Sequence, residues 1–101
     1  MKDGCIKLDS KFGKKIGFTS DRFTSSWLWK TGNYIYISMI ISKQENKGYV
    51  TTLFDNILKE GYGIKVPTPF AKMVSICAKR RFKHIIEYGE DGQCDILVKE
   101  I

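Results

Sequence analysis

Lys47 and Gly48 stand at the seam between two hydrophobic patterns, and that seam is where the chain is best equipped to do chemistry. Before it runs Tyr34-Ile-Tyr-Ile-Ser-Met-Ile-Ile-Ser42, rich in Ile and Tyr, which reads as a strand buried on both faces. The run is too short and too interrupted to cross a membrane. After the seam the period changes. Val50, Leu53, Phe54, Ile57 and Leu58 fall at i, i+3, i+4, i+7 and i+8, one apolar stripe on a helix. Gly61 stops that helix, and Ile64-Lys-Val66 can return as a strand. A strand, helix and strand in this order form a right-handed crossover, with the helix's unpaired N–H groups facing the exit of the first strand. Such a place attracts phosphate.

Other reactive side chains are sparse. Cys5, Cys77 and Cys94 are odd in number and lack metal-ligand spacing, so reduced thiols are expected rather than a disulfide framework or a zinc site. His84 stands alone, which argues against a metal enzyme. The net charge of +6 is uneven: residues 1–47 carry nine Lys or Arg against four acids, residues 48–101 eight against seven. A basic half can hold nucleic acid, an acidic protein or a polyphosphate-bearing cofactor, or can simply keep the chain soluble. With 43% hydrophobic and 28% charged residues the chain reads as an ordinary globular protein, neither disordered nor membrane-embedded. Its 101 residues allow one domain, 1–101. Met1-Lys-Asp-Gly-Cys5 lacks the apolar run of a secretory leader, so a cytoplasmic location is the expectation.

Around the seam, local patterns place the remaining strands and helices. Residues 1–24 are expected to form an irregular arm, with Cys5-Ile-Lys-Leu8 as a short edge strand and Gly13, Gly17 and Thr19 to Asp21 as breakers. Ser26 to Lys30 and Tyr34 to Ile37 flank Thr31-Gly32-Asn33, a hairpin signal. Trp27, Trp29, Tyr34 and Tyr36 then suit cross-strand packing, or, interleaved with Lys30, a stacking platform for bases. Pro67-Thr-Pro69 opens a second helix with Phe70, Met73, Val74 and Cys77 on one face. The Lys79-Arg80-Arg81-Phe82-Lys83-His84 cluster lies at its C-terminal end, where the helix dipole favours cations. His84 to Tyr88 and Cys94 to Lys99, around Gly89-Glu-Asp-Gly92, close the chain as a hairpin.

Hairpin, crossover helix, strand, helix and final hairpin, with a glycine at the start of the first helix, resemble the second half of the GNAT superfamily of acyl-CoA N-acyltransferases. That family's Arg/Gln-x-x-Gly-x-Gly/Ala loop is matched by Glu45-Asn-Lys-Gly48-Tyr-Val50, and its Lys-x-Gly-Phe ending is echoed by Lys79-Arg80-Arg81-Phe82. The likeness covers roughly residues 25–100 and rests more on the order of elements than on the motif. It implies an α/β (α+β) fold with a mixed, mostly antiparallel sheet, a β-α-β crossover and two main helices.

The resemblance also implies a site. Acetyl-CoA would be the cofactor, its pyrophosphate on Lys47, Gly48, Tyr49 and Val50, steered by Lys43, and its pantetheine arm along the backbone of Ile40 and Ile41. Glu45 and Val50 fill the positions of the family's Arg/Gln and Gly/Ala. Cys77 aligns with the family's proton-donating tyrosine, or is a small apolar core residue, and Glu87 or His84 could accept the amine proton. The arm before Thr24 is too short for the family's two acceptor-pocket helices, so a homodimer partner would complete the pocket around an amine acceptor. The alternative is a non-catalytic GNAT-like module that binds protein or nucleic acid through its basic half.

Overall fold

Leu28, Lys30, Ile35, Ile37, Ile64 and Val66 are buried on one face of a six-stranded sheet, and three helices cover that face. The computed structural model describes residues 3–44, 48–67, 71–89 and 92–100. In chain order the elements are β1 (Gly4–Ile6), α1 (Lys11–Ile16), β2 (Trp27–Thr31), β3 (Tyr34–Met39) and α2 (Tyr49–Lys59). Then come β4 (Gly63–Pro67), α3 (Ala71–Lys79), β5 (Lys83–Gly89) and β6 (Gly92–Lys99). Across the sheet the strands run β1-β2-β3-β4-β6-β5. Among the described residues only β3 and β4 pair in parallel, joined by α2 as the crossover; the other four strand pairings are antiparallel. This is the mixed α+β architecture that the pattern of elements implied. Among the described residues no helix is long and apolar enough to cross a membrane.

The apolar stripe of α2 delivers Leu53, Phe54 and Ile57 to the core, and Gly61 at φ 92° turns the chain out of the helix toward β4. β3 departs from expectation in two ways. It ends at Met39, and it is buried on one face only: Ile35 and Ile37 are enclosed by the helices, whereas Tyr34 and Tyr36 turn to the other face and stay half covered. Alternation along a strand dictates that split, and no described helix covers the second face. Lys30 follows the same rule. It points to the helix side, away from Trp27 and Trp29, binds Asp3 at 2.8 Å and sits 5.7 Å from the Tyr62 ring centre, so it does not join the aromatics in a base-stacking platform.

The expected short edge strand is present as β1, and the rest of the arm, expected to be irregular, holds a helix. Residues 4–16 hold β1 and α1, and Ile16, Phe18 and Phe23 are fully enclosed in the core. Each such side chain contributes about 1.5–3 kcal/mol on leaving water. Ser10 caps α1, accepting a hydrogen bond from the Gly13 N–H at 3.1 Å. Both glycines that read as breakers have positive uses. A Cβ on Gly13 would lie 2.8 Å from the Lys7 carbonyl oxygen, and Gly17 at φ 83° closes the helix.

Two further boundaries differ from the sequence reading. Thr31 pairs with Tyr34, so the β2–β3 connection is the two-residue turn Gly32-Asn33. On α3, Met73 and Cys77 are buried but Val74 is 44% exposed, and Phe70 lies outside the described residues. The closing hairpin is as expected, Gly89 opposite Gly92, with residues 90–91 outside the described ones.

Candidate functional site

The β3–β4 ladder is short. Its pairs are Tyr34 with Gly63, Ile35 with Ile64 and Tyr36 with Lys65. Beyond them both strands continue, held by different neighbours: Ile37 and Met39 by Leu28 and Trp27 of β2, Val66 and Pro67 by Leu97 and Ile96 of β6. The sheet is therefore split at this end. A β-bulge makes the divergence. Leu28 pairs with Ile37 but Trp27 with Met39, which leaves Ser38 as one extra residue that bends β3.

Past the bulge, the chain is tied to the N-terminal segment. The Ile41 N–H donates to Ser26 Oγ at 2.8 Å and the Ile41 carbonyl accepts from the Thr24 N–H at 2.9 Å. Ile41 is therefore corrected: its backbone is already occupied and cannot pair with a pantetheine arm. In an extended chain successive residues turn their polar groups to alternate sides, which leaves Ile40 as the one of the two facing the split.

The split opens toward the start of α2. Gly48 is its N-cap at φ 71°; among the described residues no side chain caps the helix, and none lies within 4 Å of a Cβ built on that glycine. The first N–H groups of the helix have no partner within it, a built-in anion attractor. Lys47 and Glu45 lie outside the described residues. Tyr49 does not fill the split: its ring packs edge-on to Phe23 at 6.2 Å, with the Arg22 guanidinium 5.4 Å from its centre. Arg22 and Lys43 are joined through their backbones, Lys43 N–H to Arg22 carbonyl at 2.7 Å, and of the two it is the Arg22 guanidinium that lies against Tyr49 in the first turn of α2. Arg22 was not anticipated, because in the sequence it is one scattered cation of the basic half.

At the fork of the split a polar cluster lies on the helix-free face. Lys65 Nζ is 2.7 Å from Glu87 Oε2 and 3.3 Å from the Tyr36 hydroxyl, which in turn donates to Glu87 Oε1 at 3.3 Å. Burial alone would lower the Lys65 pKa. The hydrogen bonds to Glu87 and Tyr36, with their charges, outweigh it and hold the ammonium above its ordinary value. Lys65 is thus a fixed cation at the fork.

The other acid–base candidates lie elsewhere. Cys77 has no solvent exposure, and desolvation pushes its thiol up to about 12. It is a core residue and cannot donate a proton to a departing group, which corrects its expected role. His84, three residues before Glu87 on β5, faces the opposite side of the sheet and bonds Asp95 at 3.1 Å. The fold brings Glu87 to the fork and leaves His84 away from it.

No family model and no curated protein matches this chain. Among solved structures, the fold matches a crystal structure described as "putative acetyltransferase from Agrobacterium tumefaciens". The TM-score is 0.54 at 14% identity, over 99% of this chain and 75% of that one. This chain has a GNAT-like fold. Two features of the geometry bear on the expected site: β3 and β4 cease to pair after Tyr36 and Lys65, and the glycine that starts the crossover helix is exposed. Val50, expected at the position of a Gly or Ala, is half-buried and packs against the core cluster.

Proposed function

We propose that this protein is an acyl-CoA-dependent N-acyltransferase, with acetyl-CoA as donor and an amine as acceptor. The observation that carries the reading is the split itself, where β3 and β4 stay in the sheet yet cease to pair after Tyr36 and Lys65. The exposed glycine and uncapped start of α2 suit a pyrophosphate, with Arg22 and Lys43 as its cations and Ile40 as a backbone partner for the pantetheine amides. Acetyl-CoA, when bound, supplies a thioester-activated acyl carbon.

Around that carbon the chain supplies orientation and proton traffic. Glu87 is the acceptor of the proton that an ammonium must lose before it can attack. Tyr36, between the Lys65 ammonium and the Glu87 carboxylate, is the donor to the departing thiolate, a role Cys77 cannot fill. Positioning the amine against the thioester provides the larger part of the rate. Isothermal titration with acetyl-CoA and with CoA tests the reading: heat of binding for both is expected, and none at millimolar ligand removes it.

A further inference from the structure

At the other end of the molecule, where α2 and α3 finish, a cavity of about 310 Å³ is lined by Phe54, Leu58 and Phe82 and by the cations Lys79, Arg80, Arg81 and Lys99. It lies at the opposite end of α2 from Gly48 and on the opposite face of the sheet from the Lys65 cluster: Leu58 belongs to the last turn of α2, and Lys99 pairs with Ile64, whose side chain alternates with that of Lys65. We propose that this cavity binds a small phosphate monoester carried on an aromatic body. Such a site is independent of the transferase reading.

The apolar wall is the half-buried ring of Phe82, backed by the buried Phe54 at 5.2 Å and 41°, and it suits a planar apolar group. The rim is cationic. Asp55 pairs with Arg80, and the other three lining cations leave an excess that favours a dianion. Arginine forks match phosphate oxygens two at a time, and the volume lies at the small end of ligand pockets. The dipole of α3 accounts for cations on its own last turn. It does not account for Lys99, which reaches the cavity from β6.

Arg81 points the same way. The Phe82 N–H reaches the Cys77 carbonyl at 3.0 Å and the Arg81 N–H reaches that of Ala78 at 3.2 Å, a Schellman ending with Arg81 in the left-handed position at φ 61°. Glycine would occupy that position without strain. The fold keeps an arginine there at a cost in stability, and the side chain lines the cavity.

The test uses ¹⁵N-labelled full chain titrated with phenyl phosphate, inorganic phosphate and phenol, together with Arg81→Gly. Phenyl phosphate is expected to move the amides of Leu58, Arg81, Phe82 and Lys99 and to bind about tenfold tighter than either fragment. Arg81→Gly is expected to weaken that binding about fivefold while raising Tm by about 5 °C, opposite signs that a purely structural arginine would not give. Phenyl phosphate no tighter than inorganic phosphate, shifts absent from those amides, or an Arg81→Gly variant that binds unchanged would each overturn the proposal.

Discussion

Tyr36 and Lys65 are the last partners of the parallel ladder, and one residue on, Ile37 and Val66 are held by different strands. Both bear the polar groups that meet Glu87 across the helix-free face. The fork of the sheet and a proton-transfer cluster thus coincide, and substitutions at the cluster should be felt in catalysis and in stability alike.

Replacing Glu87 by Gln keeps the shape but removes the proton acceptor. With an amine acceptor identified, kcat should fall about 100-fold with little change in the KM for acetyl-CoA. Tyr36→Phe should fall about tenfold in the same assay. A Glu87→Gln enzyme with unaltered kcat and pH profile would exclude Glu87 from proton transfer.

Lys65 should also be visible in stability. Its folded pKa is raised above the ordinary 10.5, so the stabilisation is complete below that value and is lost as pH rises through the folded pKa. Lys65→Met should therefore cost about 1–2 kcal/mol at neutral pH, with the gap from wild type closing in strong alkali. Urea unfolding across that range reads it directly; a gap that is constant with pH would contradict the pairing.

Cys77 behaves as a buried thiol whose unfolded form ionises first. Between its ordinary pKa of 9.0 and about 12 the unfolded state gains charge and the folded state does not, so stability falls by about 1.4 kcal/mol per pH unit. Cys77→Ala should flatten that slope and leave acetyl-CoA binding within about twofold of wild type, a core substitution remote from the ligand. Iodoacetamide mapping of the native protein should label exposed Cys5 and spare Cys77.

Arg22 is the cation that the fold, rather than the motif, brings to α2. Arg22→Ala should weaken CoA binding by about three- to tenfold and reduce its salt dependence, because a partly exposed charge on phosphate is screened. Unchanged affinity at low salt would remove Arg22 from the site.

Much of this architecture was legible. The 3.6-residue stripe of Val50 to Leu58, the stop at Gly61 and the turn signals near Gly32 and Gly92 each act through local backbone physics, and each lies where expected. The features that escaped the sequence depend on partners distant along the chain. A bulge at Ser38 leaves no mark in an apolar run, since the extra residue is defined only by what β2 offers opposite it. α1 was hidden because Gly13 and Gly17 serve a close approach and a helix ending, uses that look like breaks in a pattern. Ile41 looked as available as Ile40, yet Ser26 and Thr24 occupy its backbone.

If the gap between β3 and β4 receives a coenzyme A thioester, amide chemical shifts of the ¹⁵N-labelled protein during a CoA titration will register it residue by residue. Saturable shifts are predicted at Ile40, Gly48, Tyr49, Val50 and Val66, with His84 and Asp95 unmoved. A titration that leaves those five amides in place, or moves only residues away from the fork, would rule out coenzyme A binding in the gap.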